Sequence, residues 1–123
     1  MVLFRPVSEM EYKEIEATEF KEFPACEKKR PLVTVLLSES GAVNIARHMK
    51  LSPTQGDMVY VLRFLAEDAF LGQFPIQNQE DPERRAIWLS EEDLLLLNQH
   101  LLGKISVIES FENDPSTADT FFV

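Results

Sequence analysis

Arg5, the serine pair Ser38 and Ser40, and Tyr60 are the side chains whose types and placement could do chemistry together in this 123-residue chain. Arg5 ends a first apolar run, the serines end LVTVLLS, and Tyr60 lies within MVYVLRF. If those runs are neighbouring strands, one side of a sheet would offer a guanidinium, hydroxyls and an aromatic ring to an anionic ligand such as a dinucleotide. A guanidinium suits that role because it forks two hydrogen bonds onto a phosphate or carboxylate. The plainer alternative pairs Arg5 with surface carboxylates and sinks Tyr60 into the core. Trp88 could line a pocket or stack on a base, and as the end of an apolar strand just before a helix cap it could also be core.

Other reactive types have structural readings. His48 and His100 have no cysteine or carboxylate at metal-ligand spacing; both fall near helix C-termini, where a cationic side chain complements the helix dipole. Cys26 is a lone thiol with no histidine close in sequence, so it is read as inert rather than nucleophilic. The four glycines, Gly41, Gly56, Gly72 and Gly103, are scattered. They form no phosphate-cradling loop.

The elements that must position these residues can be read from periodicity. Residues 1–4 form a first strand ended by Arg5-Pro6. Ser8 and Glu11 make a capping box, opening a helix that runs to about Thr18 with Tyr12 and Ile15 turned inward. Residues 32–37, LVTVLL, are apolar on both faces, as a central strand would be. Ala42, Ile45, Ala46 and Met49 mark the inward stripe of a second helix. In residues 58–64, Met58, Tyr60, Leu62 and Phe64 share one strand face and Arg63 takes the other. Residues 67–71 can make one helical turn and residues 74–77 a brief edge strand. The best-defined unit follows. Ala86 to Leu89 is a strand, Ser90 and Asp93 form a capping box with Leu89 and Leu94 as its staple, and Leu94, Leu97 and Leu101 form the inward stripe. Gly103 then serves as the left-handed C′ residue, and Ile105, Val107 and Phe111 alternate with serines in a last strand.

This order predicts an α+β fold: one domain over residues 1–111, built on a mixed, mostly antiparallel sheet with about three short helices. Residues 112–123 carry three acids and no base and are expected to be a disordered tail.

The formal charge of −9 argues against nucleic-acid binding through phosphate neutralisation. Residues 9–27 hold seven glutamates against two lysines, followed by Lys28, Lys29 and Arg30. This reads as a solvated helix face and a basic loop, or as an acidic surface for a basic partner. With a single cysteine and no run near the roughly 18 apolar residues of a membrane span, a cytoplasmic protein without membrane attachment is expected.

The succession LFRPVSEMEYKEIEATEFKEFP, PLVTVLLSESGAVNIARHM, VYVLRFLAEDAFLGQFPIQ and IWLSEEDLLLLNQHLLGKISVIESF resembles small bacterial proteins labelled ADP-ribosylation or crystallin J1 proteins. The resemblance covers residues 3–111 and implies a relationship to the ADP-ribosyltransferase fold. In that fold a basic residue on the first strand and a serine or tyrosine after the second segment hold NAD, roles that fall to Arg5 and Ser38, with Tyr60 and Trp88 completing the expected NAD or ADP-ribose site. A glutamate or glutamine on a later strand directs transfer. Here this chain departs from the pattern, since Arg84-Arg85-Ala86 precedes Trp88 and the candidate acid, Glu83, is displaced into a loop.

The resulting expectation is a catalytically weak or inactive module, without a metal, that binds a nucleotide-like ligand or a protein as a monomer or weak homodimer. The alternatives are an active NAD-dependent ADP-ribosyltransferase using Glu83, and an acidic interaction module of the antitoxin, immunity-protein or inhibitor type that binds a basic partner.

Overall fold

In the computed structural model, residues 1–24, 32–49 and 56–112 are described. Cys26, the basic residues Lys28 to Arg30, residues 50–55 and the tail beyond Glu112 lie outside the described residues.

Among the described residues, six strands form one sheet: β1 (Val2–Ser8), β2 (Val33–Leu36), β3 (Met58–Leu65), β4 (Ile76–Gln77), β5 (Ala86–Leu89) and β6 (Ser106–Glu112). Their order is β4-β5-β2-β1-β3-β6, and every pairing is antiparallel rather than mixed. A parallel neighbour needs a connection that carries the chain back along the whole preceding strand. The first helix, α1 (Glu9–Ala17), rises only ~13 Å against ~23 Å for β1. As expected, β2 is interior to the sheet and β4 is a short edge strand.

Strand alternation separates two cores. Leu3, Val7, Val33, Val35, Leu62, Phe64, Ile87 and Leu89 project to one face. There they meet Ile15 of α1, Phe70 and Leu71 of α3 (Asp68–Leu71), and Leu94 and Leu97 of α4 (Glu91–Leu97). Phe4, Leu36, Val59, Val61 and Ala86 project to the other face, under Ala42 and Ala46 of α2 (Glu39–His48). The alternation read in MVYVLRF therefore holds, with Arg63 opposite Leu62 and Phe64.

Local chemistry starts α1, α2 and α4, while α3 has no side-chain cap. Ser8 Oγ accepts from the Glu11 amide, Ser38 Oγ from Gly41 and Ser90 Oγ from Asp93. Only at α4 is the reciprocal box also formed, through Asp93 Oδ2 and the Ser90 amide. After α1, Glu19 and Phe20 both take left-handed backbone (φ 62° and 63°), a conformation that disfavours L-residues. Interactions around them hold that bend: Ile105 donates its amide to Phe20 O at 2.8 Å, and Asn98 clamps Phe23 by accepting from its amide and donating to its carbonyl, at 2.7 and 2.9 Å.

Five expectations change in the C-terminal half and α2. The last helix ends earlier than its leucine stripe suggests: α4 gives way to a 3₁₀ turn at Asn98–His100, and Leu101 bridges to Ala66. Gly103, with φ 81°, turns the chain after that bridge instead of acting as the helix C′ residue. In β6, Val61 pairs with Glu109 and Leu62 with Val107, so Ile108 is an extra bulged residue. The bulge breaks the alternation: Ile108 and Phe111 pack under α2, while Val107 is exposed. The strand also continues through Glu112, the expected start of the tail. Ile45, placed by periodicity on the inward stripe of α2, is 42% exposed. The helix approaches the sheet through Ala42 and Ala46, whose small side chains permit close packing and leave Ile45 to the side.

Candidate functional site

The residues proposed from sequence are divided between two surroundings. Arg5 is buried on β1, facing α1, because strand periodicity puts it on the same face as Leu3 and Val7. Its Nε and Nη2 donate to the two carboxylate oxygens of Glu11, each at 3.0 Å, and Nη1 reaches Thr34 O at 3.3 Å. The two side chains are only 8% and 14% exposed. The fork that would clasp a ligand's phosphate is thus occupied by the chain's own carboxylate.

Tyr60 lies on that same face, stacked on Tyr12 with ring centroids 3.9 Å apart and planes at 13°. The Tyr12 hydroxyl donates to Glu16 at 3.1 Å. Burial, and then the Glu16 carboxylate, hold the Tyr12 phenol above the usual 10.0. Ser38 is occupied as the cap of α2, its Oγ also 3.0 Å from Ser40 Oγ. Arg5, Ser38 and Tyr60 do not share a cleft.

A cleft does exist on the opposite face, beside α2. This helix lies over β1 and β3 and leaves Trp88 of β5 44% exposed. The indole stands in a groove of about 540 Å³, whose floor is Thr34, Leu36 and Ala86 and whose walls are Asn44 and Ile45 of α2 and the loop carrying Asn78, Asp81, Glu83 and Arg84. Thr34, Leu36 and Ile45 also line a second compartment of about 360 Å³. That compartment runs towards Leu32, Met49 and the Arg5–Glu11 pair. Each volume falls in the range of ligand clefts. Trp88 and Glu83 therefore meet in one compartment, and Arg5 borders the next.

The loop wall is tied down by its own hydrogen bonds. Asp81 donates its amide to Asn78 O and Arg84 its amide to Asp81 O, both at 3.0 Å. The Glu83 amide donates to Asp81 Oδ1 at 3.1 Å, and Arg85 Nε to Gln79 O at 2.8 Å. Leu37 N donates to Arg85 O, fixing the loop to the end of β2. Gly41 completes the anchorage. A Cβ at that position would overlap the Glu83 carbonyl oxygen and sit 2.9 Å from its carbon, so only glycine lets the helix and loop meet this closely.

The acids of this wall differ in their pairing. Asp81 Oδ2 is 3.7 Å from Arg84 Nε, with both side chains well exposed. Among the described residues, no basic side chain pairs with the Glu83 carboxylate. His100 and His48 serve locally. His100 Nδ1 is 3.1 Å from Glu67 Oε1 and its ring stacks on Phe70; His48 Nδ1 is 2.8 Å from Asn44 O. No group of three or more histidine, cysteine or acidic residues among the described residues is placed to hold a metal ion. No described helix is long and apolar enough to cross a membrane.

The sequence reading missed Thr34, Asn44, Ile45, Asn78 and Asp81 as groove residues. One signal was present: Thr34 is the polar interruption in LVTVLL, and it faces the groove together with its cross-strand partner Trp88. Comparisons of the chain with protein-family models, curated proteins and solved structures gave no match.

Proposed function

We propose that this protein is a non-catalytic binding module that holds an extended apolar and basic segment of a partner protein in the groove between α2 and the 78–85 loop. The observation that carries this reading is the open indole of Trp88 within a pre-formed, acid-walled groove. Aromatic side chains that stay exposed in a rigid groove supply large contact area at little conformational cost. The formal charge of −9 and the Asp81–Glu83 wall favour a cationic partner and disfavour a pyrophosphate. Arg5, committed to Glu11, does not offset that repulsion. The resemblance to ADP-ribosyltransferase-like proteins enters this reading as a relationship of fold, with the transfer chemistry lost. Glu83 then acts as part of a binding wall.

Trp88 is the only tryptophan, so its fluorescence reports directly on the groove. The test titrates the protein with a ten-residue peptide of alternating arginine and leucine, with its glutamate–leucine counterpart, and with NAD and ADP-ribose. The module reading expects a saturable change with the basic peptide alone. Saturation by NAD or ADP-ribose, with no response to the basic peptide, replaces it with the nucleotide reading. Transfer of ADP-ribose from labelled NAD to protein acceptors, above a heat-inactivated control, restores the transferase reading.

A further inference from the structure

We infer that the Trp88 end of the groove is a subsite for one cationic side chain, an arginine or lysine of the bound segment, held between the indole and the Glu83 carboxylate. This rests on the groove reading and narrows it to a chemical group.

Three features converge there. The side chain of Trp88 leaves β5 on the α2 face and remains 44% exposed, so it is available to a ligand without moving a core residue. Tryptophan is the best aromatic partner for a guanidinium or ammonium group. Glu83 lines the same compartment, and no basic side chain among the described residues neutralises it. The loop holding Glu83 is pre-organised by its internal hydrogen bonds and by its seat on Gly41, so little ordering remains when a ligand binds. Among the described residues lining the compartment, Arg84 is the competing cation. It is engaged with Asp81 at 3.7 Å, where both partners are largely in solvent, a pairing too weak to shield the site. Thr34, Leu36 and Ile45 continue the groove as the surface for the apolar positions of the segment.

The experiment compares the arginine–leucine peptide with an otherwise identical peptide carrying citrulline, which keeps the size and planarity of the arginine side chain but has a carbonyl oxygen in place of one donor nitrogen and carries no charge. Affinities are read from Trp88 fluorescence, and from calorimetry where Trp88 is replaced. The expected result is binding weaker by about tenfold with citrulline. Glu83→Gln is expected to weaken the arginine peptide and leave the citrulline peptide unchanged. Trp88→Leu should weaken the arginine peptide by about fivefold to thirtyfold. Equal affinity of the two peptides for the unmodified protein overturns the cation subsite while leaving the groove as the binding surface. Failure of both peptides to bind overturns the subsite and the groove reading together. Urea unfolding of each variant separates loss of the site from loss of the fold.

Discussion

Replacing Glu11 with alanine removes the carboxylate that holds Arg5 and leaves a guanidinium buried between β1 and α1. Among the described residues, the hydrogen bond that Arg5 keeps is that from Nη1 to Thr34 O at 3.3 Å. Breaking one side of a buried ion pair costs about 3–5 kcal/mol, because the surviving charge stays desolvated. The Thr34 bond and the pair's position at the rim of a groove put this site near the lower end, at ~3 kcal/mol. With a urea slope of about 1.5 kcal/mol/M, the unfolding midpoint falls by ~2 M with an unchanged slope. Replacing both partners, as Arg5→Met with Glu11→Leu, removes the two charges together and is expected to be close to neutral. The pair of measurements isolates the ion pair from simple loss of packing. A Glu11→Ala midpoint within about 0.5 M of the unmodified protein would refute the reasoning. It would mean that Arg5 does not depend on Glu11 and is available to an anionic ligand, which Arg5→Ala in an ADP-ribose titration would then reveal.

Three further outcomes follow from the geometry. Gly41→Ala forces the Glu83 carbonyl away from α2 and is expected to destabilise the fold by about 1–3 kcal/mol and to weaken peptide binding, both read by urea unfolding and Trp88 fluorescence. Asn98→Ala leaves the Phe23 amide and carbonyl without their clamp and should cost about 1–3 kcal/mol in the same unfolding assay, without changing affinity for the peptide. The Tyr12 phenol, raised by burial and by Glu16, has a higher folded than unfolded pKa. Its contribution to stability is therefore complete below the usual 10.0 and is lost as pH rises through the higher folded value, which ultraviolet titration against Tyr12→Phe resolves.

Much of the fold was legible because local signals and tertiary demands agree. Ser90, Asp93 and the leucines that follow specify the same helix start as the packed sheet does, and MVYVLRF alternates as the two cores require. The bulge at Ile108 was illegible because a bulge is a property of two strands, and β6 alone carries no mark of its register with β3. Gly103 was misplaced because the glycine stop had no competing signal in sequence, whereas the bridge from Leu101 to Ala66 joins distant segments.

The site was less legible for a related reason. Glu11 satisfies a local pattern, the third position of a capping box, and that reading hid its pairing with Arg5, which depends on the reversal from β1 into α1. Tyr60 was correctly placed on a strand face, but its partner Tyr12 comes from another element. Trp88 was legible as a strand residue with two possible roles. Its exposure follows from how α2 lies on the sheet, and Ala42 and Ala46 set that approach only through contact with the rest of the protein.

The most direct measurement of the central claim is a titration of isotope-labelled protein with the arginine–leucine peptide, followed through amide and indole resonances. The groove account predicts that the Trp88 indole N–H, Thr34, Ile45 and Glu83 move together and saturate, while Tyr12 and Tyr60 on the opposite face stay still. Shifts centred on Tyr60 and Ser38, or a Trp88 indole unmoved at saturating peptide, would contradict it.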